Sequence, residues 1–384
     1  MERQALKVAV IEPVGGHGGM DYYDFGLCGG LAAAGVDVVL HSCEETVVPA
    51  GTAFSVRHSY AGIYGDAPAW RRGLRYLRGT IEALWCSVRE ERRICHFHLF
   101  HVGLLEAFNF ALAKLFGRRV VITAHDVESF VGSLEVPALS RWVYRRADRV
   151  VAHNHISRRE LIERIGLDAA RIAVIPHGNY LHVLRPLPAV EEAREALGIA
   201  AGAKVILFFG QIKEVKGLDL LLEAMPKVLE KHPDAVLLIA GKPWKSDFSV
   251  YEALMERHSI CEQCITHIRY IPDAELPRYY AAADLVALPY RRIYQSGVVL
   301  MAMSYGKAVL VSDLPGMTEI VKDGETGLVF RQGDVASLVA KLDEALTNPT
   351  ARQQMAVRGY HKVCSDYDWC VIGESSRELY AQIN

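Results

Sequence analysis

The strongest constraint on this chain is a repeated alternation: short apolar, β-rich runs separated by helix-length segments, interrupted once and then resumed. Leu6 to Ile11 is broken only by Lys7, and Pro13-Val14-Gly15-Gly16-His17-Gly18-Gly19 follows it. Tyr22 to Ala34 then carries apolar residues at helical spacing and stops at Gly35, a residue suited to the left-handed turn that closes a helix. Val36–Leu40, Ile94–Phe100, Val120–Ala124, Val150–Ala152 and Ile172–Ile175 continue as strands, with helices expected over Gly103–Phe116 and Ser157–Ile165. Strands apolar throughout are covered on both faces, and intervening helices supply the cover, so the pattern predicts a parallel, doubly wound α/β sheet.

The alternation pauses over 177–203, where Pro186 and Pro188 sit among few strand formers, and a linker is expected near 180–190. It restarts with strands at Val205–Gly210, Ala235–Ala240, Ile268–Ile271, Leu285–Leu288, Ala308–Val311 and Leu328–Val329, and helices at Leu218–Glu230, Leu276–Ala282 and Gly297–Ser304. A chain of 384 residues exceeds the ~250–300 that one core normally serves. Two Rossmann-like domains are therefore predicted, 1–185 and 186–365. Ligands of such sheets sit at the carboxyl ends of the strands, where loops from both halves can face a central cleft.

Charge excludes an overall nucleic-acid polyanion binder: 43 Lys+Arg against 45 Asp+Glu give −2. Residues 1–185 hold 22 basic and 19 acidic side chains (+3), leaving 21 and 26 (−5) for the rest. Eight cysteines at irregular spacing, with no secretory apolar region after Met1-Glu2-Arg3-Gln4, read as reduced thiols of a cytoplasmic chain. Cys261 and Cys264 form a lone CxxC without a second ligand pair, and read as two semi-buried thiols. No apolar run approaches the ~18–20 residues that cross a bilayer. Between 70 and 93, Arg71, Arg72, Arg75, Arg78, Arg89, Arg92 and Arg93 interleave with Trp70, Leu74, Leu77, Ile81, Leu84 and Trp85. Such a helix suits peripheral contact with an anionic membrane or a solvent-facing flank.

Several loops at strand ends can meet an anion. Gly15 to Gly19 lets backbone N–H groups approach one closely, and the helix starting near Asp21 adds its positive dipole end. The dinucleotide fingerprint is not matched, because Asp21 occupies its last glycine place. Gly210-Gln211-Ile212-Lys213-Glu214-Val215-Lys216-Gly217 puts two lysines between a strand and a helix, where a cation holds a departing diphosphate. Gln295-Ser296-Gly297-Val298 opens another helix after a strand. His125 follows the strand Val120–Ala124 and precedes Asp126, at a strand's carboxyl end. His96, His98 and His101 read as packing and hydrogen-bonding groups, and Asp366-Tyr367-Asp368 as a surface tripeptide, so no metal site is assigned.

In their shared order, these positions resemble the GT-B glycosyltransferases, particularly the retaining family 4 group. The resemblance spans nearly the whole chain: Gly18-Gly19, Thr123-Ala124-His125-Asp126, Ala147-Asp148-Arg149-Val150-Val151-Ala152 and Val174-Ile175-Pro176-His177-Gly178 in the first half. In the second come Gly210-Gln211-Ile212 with Lys216-Gly217-Leu218-Asp219, Ala283-Asp284-Leu285, Gly306-Lys307-Ala308-Val309 and Gly324-Glu325-Thr326-Gly327. Asp368-Trp369 precedes a last helix, about 366–384, that in this family packs back on the first domain.

The resemblance implies a metal-independent hexosyltransferase with no cofactor, taking a UDP- or GDP-linked sugar in the second domain and a glycan, lipid-linked or small-molecule acceptor in the first. By position, Lys216 matches the lysine that neutralises the leaving diphosphate, Gly19 the first-loop glycine near it, and His125 the histidine that contacts the donor sugar. Gln211 stands where the family has arginine, with Lys213 the candidate for the missing charge. The two-glutamate motif is absent, Ile293 and Met301 occupying its places. Gln295-Ser296-Gly297 fits the variant that lacks it, and Glu319 is the candidate polar partner for the ribose. Base contacts are expected around Tyr270-Ile271-Pro272, and acceptor contacts at Asp21, Tyr22, Tyr23 and Asp126. Two other readings share the fold: a nucleotide-sugar 2-epimerase and a non-catalytic sugar-nucleotide-binding subunit.

Overall fold

The computed structural model describes residues 6–125, 137–244 and 247–384. The chain forms two compact units, one of residues 1–178 and 367–384, the other of 179–366; the sequence had placed this division at 185/186.

The first unit is built on β1 (Lys7–Ile11), β2 (Asp37–Cys43), β3 (Ser55–Tyr60), β4 (Ile94–Leu99), β5 (Arg119–Ala124), β6 (Arg149–Ala152) and β7 (Ile172–Val174). All seven are parallel in the order β3-β2-β1-β4-β5-β6-β7. The central strands have no accessible surface over Val8–Ile11 and Val120–Ile122, which is why they read as unbroken apolar runs. β3, Ser-Val-Arg-His-Ser-Tyr, is a partly exposed edge strand without such a run, and sequence patterning missed it. The crossovers carry α1 (Gly15–Gly18), α2 (Asp21–Ala33), α3 (Ala69–Arg89), α4 (Leu104–Leu115), α5 (Pro137–Arg146) and α6 (His155–Glu160). Gly15 to Gly19, expected as an open loop, winds into the single turn α1, closed by Gly19 at φ 71°. α3 buries Gly79, Thr80, Ala83, Leu84 and Ser87 and turns Trp70, Leu74, Ile81, Trp85 and Val88 outward.

The second unit repeats the plan with β8 (Lys204–Phe209), β9 (Ala235–Ala240), β10 (Cys264–His267), β11 (Leu285–Leu288), β12 (Val309–Ser312) and β13 (Leu328–Phe330). The order is β10-β9-β8-β11-β12-β13, again all parallel. The strand expected at Ile268–Ile271 lies instead at Cys264–His267, in register with Leu237–Ala240; at a half-covered edge, pairing sets the strand more than apolarity does. Its helices are α7 (Val190–Ala196), α8 (Leu218–Lys231), α9 (Ser249–Arg257), α10 (Leu276–Ala282), α11 (Gly297–Ser304), α12 (Pro315–Thr318), α13 (Val335–Thr347) and α14 (Pro349–Asp366). α8 contributes Leu218, Leu221, Leu222 and Met225 to the core, facing Leu338 and Leu342 of α13.

After α14 the chain supplies α15 (Trp369–Ala381) to the first unit, where it packs along α2. Asp368 caps it, its carboxylate accepting from Cys370 N at 2.7 Å, so this half of the Asp366/Asp368 pair does capping work. The approach to α2 is glycine-limited: a Cβ on Gly30 would overlap the Trp369 carbonyl, one on Gly373 would overlap the Gly30 backbone, and one on Gly26 would overlap the Trp369 indole. The Tyr380 hydroxyl closes the far end against His96 Nδ1 at 2.6 Å.

Candidate functional site

In both sheets the strand order reverses between two neighbours, β1 and β4 in the first unit and β8 and β11 in the second. Crevices outside strand carboxyl ends at such reversals are where open α/β sheets bind ligands. Gly18, Gly19 and Asp21–Tyr23 follow β1, and Gly210, Lys213, Lys216 and Gln295–Val298 follow β8 and β11, at these two places; His125 follows β5, Tyr270–Pro272 follow β10 and Glu319 follows β12. Each unit is described separately.

In the second unit, β8 runs out through Phe209 into Gly210, whose φ of 109° only glycine adopts comfortably. Its neighbour Gly241 lies so close that a Cβ would overlap the Gly210 carbonyl. A 3-10 turn over Glu214–Lys216 follows, and Gly217 (φ 67°) opens α8. A side chain on Gly217 would overlap the Pro289 carbonyl beyond β11, so Lys216-Gly217 is the spacing that lets the two loops touch. Arg291 locks them: its N–H donates to Val215 O at 2.8 Å and its guanidinium binds Asp219 Oδ1 and Oδ2 at 2.5 and 2.6 Å. Lys216 Nζ sits 3.7 Å from the centroid of the buried Tyr290 ring, and Lys213 Nζ 4.9 Å from that of Trp244. Both ammonium groups are thus held on aromatic faces at the end of β8.

The same place receives α11. Ser296, 3% exposed, caps it by accepting from Val299 N at 3.4 Å, and a Cβ on Gly210 would lie 3.3 Å from Val298 Cγ2. Gly210, Lys216 and the Gln295–Val298 turn therefore share one locality. Gln295 Oε1 is buried with no hydrogen-bond partner among the described residues. Gln211 is exposed beside them. Glu319 is half-buried at the end of α12, beyond β12; Tyr270 and Pro272 are exposed and Ile271 buried in the segment after β10.

In the first unit, the amides of the α1 turn are largely spent. Val14 N and Gly15 N donate to the Glu12 carboxylate, Gly16 N to Thr46 Oγ1 at 3.0 Å, His17 N to Val14 O at 3.1 Å and Met20 N to Gly15 O at 3.0 Å. Gly18 ends the turn, and Gly19 is exposed with open space where a Cβ would stand. Asp21 and Tyr22 are half-buried in the first turn of α2. Tyr23, expected at an acceptor surface, is 3% exposed and is the hub of a buried cluster, its ring 4.8–5.4 Å from those of His98, His125, His153, His177 and Trp369. Asp126 lies outside the described residues.

His125 is buried at the end of β5, stacked on Phe100 at 4.6 Å. Burial first, then neighbouring His153, pushes its pKa well below the usual imidazole value, and burial brings His153 down to about 3, so both rings are neutral at pH 7. The neighbours then fix the tautomers. Ile175 O can only accept, so His153 Nδ1 donates to it at 3.0 Å and His153 Nε2 carries a lone pair. His125 Nδ1 donates to that lone pair at 3.3 Å, which leaves His125 Nε2 as an acceptor, buried and without a hydrogen-bond partner among the described residues. The arrangement suits a hydroxyl donor and does not suit a carbonyl or carboxylate.

Sequence reasoning did not anticipate the acidic pair beneath this cluster. Glu12 and Asp24 are 1% and 0% exposed, and Asp24 Oδ1 meets His98 Nδ1 at 3.0 Å. Burial and the adjacent Asp24 hold Glu12 well above the ordinary carboxylate range; burial and Asp21 do the same for Asp24. Only strand position, a carboxylate ending β1 and another one turn into α2, signalled them. Among the described residues, no group of three or more His, Cys, Asp or Glu is arranged to hold a metal ion.

These buried groups predict acid sensitivity. His41, His98 and His153 titrate at about 4, 3 and 3 and His96 and His125 are also lowered, chiefly by burial. Unfolded imidazoles protonate below about 6.5 while the folded ones stay neutral, so stability is complete above that pH and falls as pH drops toward the folded values, each site contributing up to about 1.4 kcal/mol per pH unit. Glu12 and Asp24 act oppositely, with stability lost as pH rises through their elevated values, but two carboxyls do not offset five imidazoles. Urea midpoints of the first unit's transition should fall steeply between pH 7 and 5; a flat profile would place these rings in solvent.

The comparisons with known proteins agree with this architecture. A family model described as Glycosyltransferase Family 4 matches residues 17–179, and one described as Glycosyl transferases group 1 matches 189–362. A D-inositol 3-phosphate glycosyltransferase of Kineococcus radiotolerans is 28% identical over 397 aligned positions, covering 95% of this chain and 91% of that protein. Among solved structures, sucrose-phosphate synthase from Thermosynechococcus elongatus superposes with a TM-score of 0.78 at 20% identity, covering 99% of each chain. Anabaena HepE in complex with UDP-glucose superposes with a TM-score of 0.76 at 18% identity, covering 98% of this chain and 100% of that one. With one family model on each Rossmann-like unit, the chain belongs to the GT-B glycosyltransferases of the family 4 type.

Proposed function

We propose that the protein moves a hexose from a UDP- or GDP-linked donor to a hydroxyl-bearing acceptor, with retention and without a metal ion. The observation that carries this reading is Lys216, fixed beside the α11 N-terminus by Gly217, Arg291 and Tyr290. Charge accumulates on the leaving diphosphate as the bond between C1 and the phosphate oxygen breaks, and a preorganised cation and helix N-terminus lower the energy of that state. Lys213 adds a second cation where Gln211 cannot. The acceptor oxygen bonds C1 from the face the diphosphate leaves, and the departing phosphate oxygen takes the acceptor proton. His125 Nε2, held as an acceptor by His153, takes a hydrogen bond from a hydroxyl of the donor sugar and aligns it.

HepE, as a relative bound to UDP-glucose, supports UDP as the first base to test. The decisive assay is nucleoside diphosphate release from UDP-, GDP-, dTDP- and ADP-sugars in EDTA; silence on every donor together with no thermal shift from any nucleotide would end the sugar-nucleotide reading. Binding without turnover would favour the non-catalytic subunit, and donor consumption with no glycosylated product the epimerase. On the active donor, His125→Phe should lower kcat/KM about tenfold, the value of one well-aligned hydrogen bond. An unchanged kcat/KM would remove His125 from the site.

The outward stripe of α3, Trp70, Leu74, Ile81, Trp85 and Val88 flanked by exposed Arg71, Arg75, Arg78 and Arg89, supports peripheral contact with an anionic membrane surface. No helix among the described residues is long and apolar enough to cross a membrane. Sedimentation with phosphatidylglycerol vesicles, lost on Trp70→Ser/Trp85→Ser and absent with phosphatidylcholine, is the expected result.

A further inference from the structure

The candidate donor residues occupy the carboxyl ends of the second unit's strands. At the opposite ends, where β11 and β12 begin, lies a half-open hollow of ≈ 360 Å³. Asp284 before β11, Lys307 before β12, Arg194 of α7, and Arg352 and Gln353 of α14 form its wall, all within the second unit. Three cations therefore face one carboxylate, and among the described residues no other charged side chain lines the hollow. Glu191, Glu192 and Glu195 of α7 are exposed and outside the lining.

The internal bonds hold these cations in place without exhausting them. Asp284 accepts from Val205 N at 2.8 Å, Arg194 Nη2 at 2.8 Å and Arg352 Nη2 at 3.1 Å. Arg194 Nε donates to Ala282 O at 3.2 Å and Arg352 Nη1 to Ala345 O at 2.8 Å. Lys307 Nζ donates to Ala281 O and Ala283 O at 3.4 and 3.1 Å. Two guanidiniums and one ammonium carry about thirteen N–H donors, and these contacts use six of them. Arg194 Nη1 and Arg352 Nε make no hydrogen bond among the described residues, and neither atom is sealed from solvent. Burial lowers the Lys307 pKa; Asp284 opposes that shift, and Arg194 and Arg352 deepen it. The repulsion among the cations is thus only partly met by the protein's own groups.

We propose that this hollow binds a small phosphate, held between Arg194, Lys307 and Arg352. A phosphate monoester carries about −1.5 to −2 at pH 7, which matches the excess of positive charge, and its oxygens accept from guanidinium N–H groups in the geometry those groups favour. A monocarboxylate leaves part of the charge unmet, and a neutral sugar all of it. The organic part of a monoester also has a place. The wall continues through Leu187, Tyr305 and Gln353 into a more open hollow of ≈ 570 Å³, which Val357 and Tyr360 help to line. The four residues of β11, about 13 Å of strand, separate this site from the loop that carries Tyr290 and Arg291. It is therefore a second site, and it does not rest on the transferase reading.

The test is calorimetric titration of the full-length protein at low ionic strength with inorganic phosphate and with phenyl phosphate. Gln353 is exposed, lines the hollow and makes no side-chain hydrogen bond among the described residues, so Gln353→Glu and Gln353→Lys change the charge at the rim and leave the ion network intact. Wild type and Lys216→Ala should bind phosphate alike. Gln353→Glu should weaken binding and Gln353→Lys tighten it, each by about threefold or more, with Tm unchanged in the absence of ligand. Opposite effects from two substitutions at one position are what a purely structural ion network does not produce. Arg352→Gln should abolish binding where it folds, and the Gln353 pair decides the matter where it does not. Tighter binding of phenyl phosphate assigns the site to a monoester, and tighter binding of inorganic phosphate assigns it to the free ion; either result supports a phosphate site. No binding of either compound tighter than about 1 mM, loss of binding in Lys216→Ala, or affinity indifferent to the charge at position 353 would overturn the proposal.

Discussion

Lys216→Ala should cut nucleoside diphosphate release from the active donor by about 10²–10³-fold in kcat, the cost of removing one preorganised group from developing negative charge. Stability should change far less, because the side chain is half-buried and its contact with Tyr290 is worth about 0.5–1 kcal/mol. The two readouts separate chemistry from folding. Lys213→Ala, whose ammonium lies on Trp244, should cost less than Lys216→Ala if Lys213 only supplements it. A Lys216→Ala enzyme with wild-type kcat would show that the diphosphate charge is met elsewhere and would remove the observation on which the proposed function stands. Equal losses for the two lysines would instead make them joint holders of the diphosphate, in the place of the missing arginine at Gln211.

The loop geometry of the second unit's candidate site was legible in the sequence because it depends on residue types with few substitutes. Gly217 must approach Pro289, Ser296 must cap α11, and Lys216 lies between them, so each leaves a letter at a fixed offset from a strand end. The fold was legible for the same kind of reason in its centre, where strands covered on both faces admit only apolar residues. Edges were not: β3 is half polar, and β10 begins four residues before the apolar run that suggested it, because its position follows from pairing with β9. The first unit's chemistry was illegible for a different cause. Glu12, Asp24 and His98 are separated by up to 86 positions and become one group only when β1, α2 and β4 assemble. Likewise the orientation of His125 depends on His153 and on a backbone carbonyl at Ile175, and a carbonyl has no identity to read.

The largest stability effect is expected at the glycine contact between α2 and α15. Gly29 and Gly30 are consecutive residues in the same helix, yet a Cβ on Gly29 meets nothing within 4 Å, whereas one on Gly30 would overlap the backbone of Trp369. Helix propensity alone favours alanine at both positions by about 0.8–1 kcal/mol. Gly29→Ala should therefore raise stability by about 0.8–1 kcal/mol, read as a higher urea midpoint at unchanged m. Gly30→Val should lower stability by about 3 kcal/mol or more, because backbone cannot rotate out of the way as a side chain can, and the helices must separate along the line that Gly373 also closes. Separation withdraws the Trp369 ring from Gly26 and Gly178 and Tyr380 from His96, so the C-terminal segment should become the first site of limited proteolysis. If Gly29→Ala and Gly30→Val behaved alike, α15 would not lie on α2 at this distance. Because α15 also packs on the helix that carries Tyr23, the neighbour of His125, its loss should depress donor turnover in proportion to the undocked fraction, tying the last helix of the chain to the chemistry of the first unit.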